Sequence, residues 1–163
     1  VKDGWHGDTS RTFGVGDVSI KARKLIQATY DSMMKAINIV KDGIYLGDIG
    51  NAIQKHAEKN HYSVVEDYCG HGIGTVYHEE PQVLHYGKAG TGIELREGMC
   101  FTIEPMINQG RKFSKVLKDG WTVETKDGRN SAQWEHTISV TKDGYEILTK
   151  RSDEYVWKKS SNQ

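Results

Sequence analysis

The sequence has only two cysteines in 163 residues, no surplus of charge of either sign and no long apolar run, and each shortage closes off a class of explanation. Cys69 and Cys100 stand 31 positions apart with no CxxC spacing, too sparse for a disulfide framework and in keeping with a reducing, cytoplasmic setting. Lys plus Arg (22) balances Asp plus Glu (22), and no basic run interleaves with aromatics, so no nucleic-acid or anionic-membrane surface is expected. No segment reaches the roughly 18 consecutive apolar residues that a membrane span needs, and the first residues lack the charged-then-apolar plan of a signal peptide. Internal repeats and low-complexity linkers are also missing. The chain opens Val1-Lys2-Asp3-Gly4, a turn-like start without an initiator methionine, as though a strand or hairpin had begun upstream.

What is present suffices for one domain, burying roughly two-thirds of the surface an unfolded chain of this length exposes. From Ser19 to Val40, apolar residues Ala22, Leu25, Ile26, Met33, Ala36, Ile37 and Val40 recur at helical spacing. "KDG" at 41–43 ends that stretch, with Gly43 available as a left-handed cap, and Leu46, Ile49, Ile53 and Ala57 mark a second helix. The two are expected to form a helical hairpin. After Asn60 the chain turns to short β-prone runs at 62–65, 99–107, 121–125, 132–140 and 145–149, several separated by Gly-containing turns. Helices followed by adjacent strands predict an α+β layout, with the helices covering one face of a largely antiparallel sheet.

Period-two alternation sets Phe101 and Ile103 on one strand face and Thr102 and Glu104 on the other. The same count puts Trp134, His136, Ile138 and Val140 opposite Glu135, Thr137 and Ser139, so Glu135 could meet Glu104 across neighbouring strands. In "WHGDTSRTF" Gly7 is expected to permit close backbone approach, with His6, Asp8 and Ser10 on one side. Converging Asp8, Glu104 and Glu135 would repel one another and lose hydration, a costly arrangement unless a cation neutralises it. His71, between two glycines in "CGHGIG", adds an imidazole. Such a donor set suits Mn²⁺, Fe²⁺, Co²⁺ or Zn²⁺, and with bridging carboxylates a pair of ions roughly 3.5–4 Å apart that can hold a hydroxide for hydrolysis. Each element alone is weak, since a strand glutamate on an outer face is usually solvated and a loop histidine usually satisfied by its neighbours. His78 in "YHEEP" reads as a catalytic candidate or as part of an ordinary turn. His6, His56, His61, His85 and His136 read as structural or surface residues.

Taken in order, "HGDTS", "CGHGIG", "YHEEPQVLHY", "GMCFTIEP", "KDGWTVETKDG" and "SAQWEHTI" closely resemble the bacterial type I methionine aminopeptidases through nearly the whole chain. The resemblance implies a pita-bread fold and removal of the initiator methionine from nascent proteins and peptides by a two-metal hydrolase, with metal-bound water as nucleophile. By the same resemblance, Asp8 and Glu135 bridge two divalent ions (Co, Mn, Fe or Zn), and His71 and Glu104 ligate one of them. Glu104 also shuttles the proton from the water to the leaving amine. His78 contacts the substrate near the scissile amide and helps stabilise the tetrahedral intermediate, while Tyr77 and Trp121 line the methionine pocket. Implied partners are N-terminal methionyl peptides and nascent chains, with the ribosome as a further one, in the cytoplasm. The 31 positions from Glu104 to Glu135 leave no room for the helical insertion of type II enzymes. Proline-specific aminopeptidases of the same fold, and a non-catalytic peptide- or protein-binding pita-bread module, are the alternatives; the "TIEPM" and "QWEHT" contexts look more like the methionine enzymes.

The resemblance further implies that roughly the first hundred family residues, including a fifth ligand before Val1, are absent. The expected organisation is a single partial catalytic domain: residues 1–16 ending a first pseudo-symmetric half, 17–150 forming the second, and 151–163 a polar C-terminal tail. Such a chain is expected to hold at most one ion well and to show little or no peptidase activity alone. An unpaired sheet edge and an uncovered apolar face would make it prone to aggregate.

Overall fold

The computed structural model describes residues 1–154. Helix α1 runs Ile20–Ile37, with the Ser19 hydroxyl accepting from Ala22 N, and α2 runs Leu46–Lys59. The Asp48 carboxylate in its first turn accepts from Tyr45 N and Gly90 N, a favourable place for negative charge. The expected apolar stripes are the buried ones: Leu25, Met33, Ala36 and Ile37 on α1 and Ile49, Ile53 and Ala57 on α2. The two helices pack against each other as a hairpin.

One expectation about their ends needs correcting. Gly43 does adopt a left-handed φ of 86°, but α1 has already closed at Asn38 in right-handed conformation. Gly43 instead turns the chain so that its N–H donates to Leu95 O. The left-handed residue that follows a helix here is His61, φ 61°, after α2.

Among the described residues ten short strands follow: β1 Ser63–Val64, β2 Gly70–Gly72, β3 Glu79–Val83, β4 Cys100–Ile103, β5 Met106–Asn108, β6 Ser114–Val116, β7 Val123–Thr125, β8 Ser131–Gln133, β9 His136–Thr141 and β10 Gly144–Ile147. They form an antiparallel five-stranded sheet in the order β10-β9-β4-β2-β3, a three-stranded sheet β1-β5-β8, and the hairpin β6-β7. The runs expected as single strands at 99–107 and 132–140 each divide in two. The chain passes from the larger sheet to the smaller at Glu104-Pro105 and from the smaller to the larger at Trp134-Glu135, so both candidate glutamates lie where the sheets meet. β2, β3 and β6 carry no apolar alternation and were not expected.

Helices α1 and α2 cover one side, and the core between them and the strands holds Phe101, Ile103, Ile107, Trp134, Ile138 and Val140. Cys69 and Cys100 are free thiols. No helix among the described residues is long and apolar enough to cross a membrane. Of the stretch expected as a polar tail, residues 155–163 lie outside the described residues, whereas Glu154 is tucked against the sheet with its side chain 10% exposed. Trp5, Phe13, Val15 and Ile20, all near the start of the chain, are exposed.

The helix–sheet seam is tight at Gly50, where a Cβ would lie 2.4 Å from Tyr86 O and 2.7 Å from Leu84 O, both backbone atoms. In a free helix Gly→Ala gains about 1 kcal/mol. Here Gly50→Ala is expected to destabilise instead, by about 1–3 kcal/mol, as overpacking does. Chemical denaturation checks the sign.

Candidate metal centre

The candidate residues reach one place from four separate segments. β4 delivers Glu104, the entry to β9 delivers Glu135, β2 delivers His71, and the segment before Ser10 delivers Asp8. Single ligand-type atoms of His71, Glu104 and Glu135 lie within 4.8 Å of one another, as do those of Asp8, His71 and His78. His71 belongs to both groups and stands at their centre.

Strand registry explains the convergence. Ile103 pairs with His136 on β9, which brings Glu104 and Glu135 side by side just past the last pair. Gly72 pairs with Phe101, so β2 lies on the other flank of β4. The two glycines around His71 answer a packing demand: a Cβ on Gly70 would sit 2.4 Å from Thr102 O, and one on Gly72 2.1 Å from Glu80 O. Glycine is required on both sides for the strands to approach. Gly7 is different, because a Cβ there would meet nothing closer than 3.8 Å, ordinary contact. The expected close approach at Gly7 is not found.

The protonation of His71 follows from its partners. Nδ1 lies 2.9 Å from Gly72 O, a carbonyl that can only accept, so Nδ1 carries the hydrogen. Nε2 faces Glu104 Oε1 at 3.6 Å and Asp8 Oδ2 at 3.8 Å, and in the neutral ring it presents a lone pair to them. Three acceptors facing one another repel unless a proton or cation lies between them.

The carboxyls register the same conflict. Burial, partly offset by a hydrogen bond from Thr102, pushes Glu104 up to about 7. Burial first, then the charges of Glu104 and Asp8, push Glu135 up to about 8. Oxygen and imidazole donors in a part-buried cluster that resists ionising alone match the chemistry of a divalent cation such as Mn²⁺, Fe²⁺, Co²⁺ or Zn²⁺. The residues present therefore fit the ion that the sequence led us to expect.

Around this cluster stand residues that the sequence reading passed over. Thr102 Oγ1 donates to Glu104 Oε1 at 2.8 Å and accepts from His71 N at 3.0 Å, tying two candidate ligands through one hydroxyl. Gln133 Nε2 donates to Glu104 Oε2 at 3.4 Å. His85, fully buried and held neutral by that burial, accepts from Glu104 N at 3.1 Å, a structural role as expected. Thr137 Oγ1 brackets Asp8, accepting from its N–H at 2.9 Å and donating to its carbonyl at 2.8 Å. The signal for two of these was available: Thr102 and Thr137 each sit two residues from a candidate glutamate on the same strand face.

His78 is exposed, its ring edge-on to that of His71 with centroids 4.3 Å apart. The Tyr77 ring lies tilted against His78 at 4.2 Å and edge-on to His71 at 5.9 Å, and a hydrogen bond to Asp8, with burial, pushes its phenol up to about 12. Trp121 is 87% exposed in the turn of the β6-β7 hairpin, where its N–H donates to Asp119. Tyr77 and His78 are thus gathered with the cluster, and Trp121 makes no ring contact with it among the described residues.

A family model described as metallopeptidase family M24 matches residues 1–142. The chain belongs to that family. The M24 chain is 61% identical over 150 residues to a methionine aminopeptidase of Rickettsia prowazekii, covering 91% of this chain and 58% of that one. It is 54% identical over 156 residues to a methionine aminopeptidase of Escherichia coli, covering 96% and 59%. The crystal structure of methionine aminopeptidase from Rickettsia prowazekii superposes with a TM-score of 0.89 at 62% identity, over 91% of this chain and 60% of that one. An Xaa-Pro dipeptidase from Bacillus anthracis matches less well, with a TM-score of 0.70 at 25% identity over 94% and 38%. The fold is therefore the α+β pita-bread fold, and the chain spans about three fifths of the length of the curated methionine aminopeptidases it matches.

The raised carboxyls fix how stability should depend on pH. Without metal, the unfolded chain loses these two protons near the ordinary glutamate value, about 4.5, whereas the folded chain keeps them to about 7 and 8. The folded state then binds more protons, so stability falls as pH rises through that window. In chelator, the melting midpoint is expected to drop from pH 5.5 to 8.5 and saturating Mn²⁺ to remove the drop; Glu135→Gln should flatten the chelated profile while weakening Mn²⁺ binding. A flat metal-free profile for the parent chain would count against this electrostatic account.

Proposed function

We propose that this M24 chain carries the chemistry of a methionine aminopeptidase, the hydrolysis of the first peptide bond of N-terminal methionyl peptides and nascent chains. The observation that carries the reading is the convergence of Asp8, His71, Glu104 and Glu135, with His71 Nδ1 held by Gly72 O and Nε2 facing Asp8 and Glu104. Sequence identity of 54–61% to methionine aminopeptidases favours that substrate over the proline-specific peptides of the more distant relatives.

In this reading Asp8, His71, Glu104 and Glu135 would hold divalent metal. When bound, the metal supplies a Lewis acid and makes water a competent nucleophile at neutral pH. Glu104 takes the proton of the attacking water on its carboxylate and returns it to the leaving amine. Thr102 holds that carboxylate by Oε1, leaving its other oxygen to the long contact from Gln133. His78, exposed beside His71, donates to the scissile amide oxygen as charge develops there. Tyr77 forms one wall for the methionine side chain, and Trp121 is the second aromatic that the resemblance assigns to that pocket. The cytoplasm and the vicinity of the ribosome are the settings this substrate implies. Residues 1–16 and 17–150 belong to two pseudo-symmetric halves in the same reading.

Release of methionine from Met-Ala-Ser by the purified chain with Mn²⁺ or Co²⁺ tests the proposal. Expected is a slow release that stops in chelator and is lost, by at least about a hundredfold, in Glu104→Ala. Metal binding without any release would favour the non-catalytic peptide-binding module, and faster cleavage of Xaa-Pro peptides would favour the proline-specific reading.

A further inference from the structure

Asp8 stands on a segment that belongs to no strand. Residues 8–12 lie along the edge that β9 leaves open after β10, and only the Ser10–Glu135 bridge gives them a backbone pairing, with Glu135 N donating to Ser10 O at 3.1 Å. Side-chain hydroxyls complete the attachment. Thr9 Oγ1 donates to Glu135 O at 2.9 Å, Thr12 Oγ1 donates to Gln133 O at 2.6 Å, and Thr137 brackets Asp8. Such an edge is a poor anchor for a carboxylate that its neighbours repel.

Behind this edge lies a polar turn that the proposed chemistry does not use. Arg151 donates to Thr9 Oγ1 and, at 2.9 Å, to Glu154 Oε1. Glu154 Oε1 also lies 2.7 Å from Nε2 of His136, whose side chain is wholly buried. Thr149 Oγ1 accepts from Thr137 N at 3.0 Å, which frees its proton for His136 Nδ1 at 2.9 Å. His136 then carries its hydrogen on Nε2 and donates to Glu154. From the other side Arg11 NH1 reaches Asp153 at 2.9 Å, and the guanidinium carbons of Arg11 and Arg151 stand 5.8 and 5.9 Å from the Trp134 ring. The turn thus crosses from the residue after Glu135 to the residue after Asp8.

We propose that Arg151 and Glu154 are positioning residues for the metal centre: the Arg151–Glu154–His136 chain clamps the Asp8 segment to the Glu135 strand and sets the separation of those two carboxylates. This inference rests on the metal-binding reading above. Metal held between these segments would tolerate little error in that separation, and hydrogen-bonded groups behind metal ligands are typically worth about 10–100-fold in affinity. The clamp works on both backbones at once, so its loss moves one carboxylate relative to the other without removing a donor.

The test is Mn²⁺ affinity, measured by titration calorimetry beside the melting midpoint. Glu154→Ala is expected to weaken binding about tenfold or more. Glu154→Gln, whose amide oxygen still accepts from His136 and Arg151, should stay within about threefold of the parent, as should Lys115→Ala at the surface pair with Glu124. Should Glu154→Ala fail to fold, Arg151→Met carries the test, since it keeps the stem against Trp134 and removes the bonds to Thr9 and Glu154. Parent-like affinity in Glu154→Ala and Arg151→Met, with only the melting midpoint lowered, would reduce the turn to a structural tie and overturn the proposal. A parent chain that binds no Mn²⁺ would overturn the metal reading and the clamp together.

Discussion

Everything about the site follows from one electrostatic conflict, the gathering of Asp8, Glu104 and Glu135 around His71. Part-burial removes the water that would otherwise screen the negative groups, and the fold resolves the conflict only with a proton or a cation. A site of this kind destabilises the chain that carries it when empty at neutral pH. The stabilising work has to be done elsewhere, and it is done on the opposite side of the sheet.

There α1 and α2 lay their buried stripes on Phe101, Ile103, Ile138 and Val140. Side chains alternate along β4 and β9, so burying those residues turns Thr102, Glu104 and Glu135 to the other face. A slip of one residue would exchange the faces, exposing Phe101 and driving Glu104 into the helices. The apolar core thereby sets the direction of the candidate carboxylates. The cost of misplacing Phe101 guards the position of Glu104.

Legibility in the sequence divides along the same line. The helices and most apolar strands were readable because their periodicity records which face is buried, and Glu104 and Glu135 could be paired because alternation put both on the open face. β2, with sequence Gly-His-Gly, has no alternation to read; its strand character comes from backbone approach to Thr102 O and Glu80 O, which only the neighbours reveal. The division of 99–107 and of 132–140 between two sheets was hidden for a related reason, since a continuous β-prone run does not say which partner each half will find. Alternation and charge brought Asp8, His71, Glu104 and Glu135 forward as a set, the resemblance gave them roles, and neither could say what holds them there.

That support is mostly hydroxyl. Thr102 joins His71 to Glu104, Thr137 brackets Asp8, and Thr9 and Thr12 attach the Asp8 segment where a backbone ladder is missing. Threonine suits this work because its branched carbon favours strand geometry while its one hydroxyl both accepts and donates. It is also uncharged, and this decides the matter. A lysine or arginine in those places would neutralise the carboxylates and take the cation's position, whereas a hydroxyl fixes their geometry and leaves their charge for the metal. The conflict at the centre is preserved by its supports, and that preservation keeps the cluster fit for a cation where charged supports would make a set of internal salt bridges.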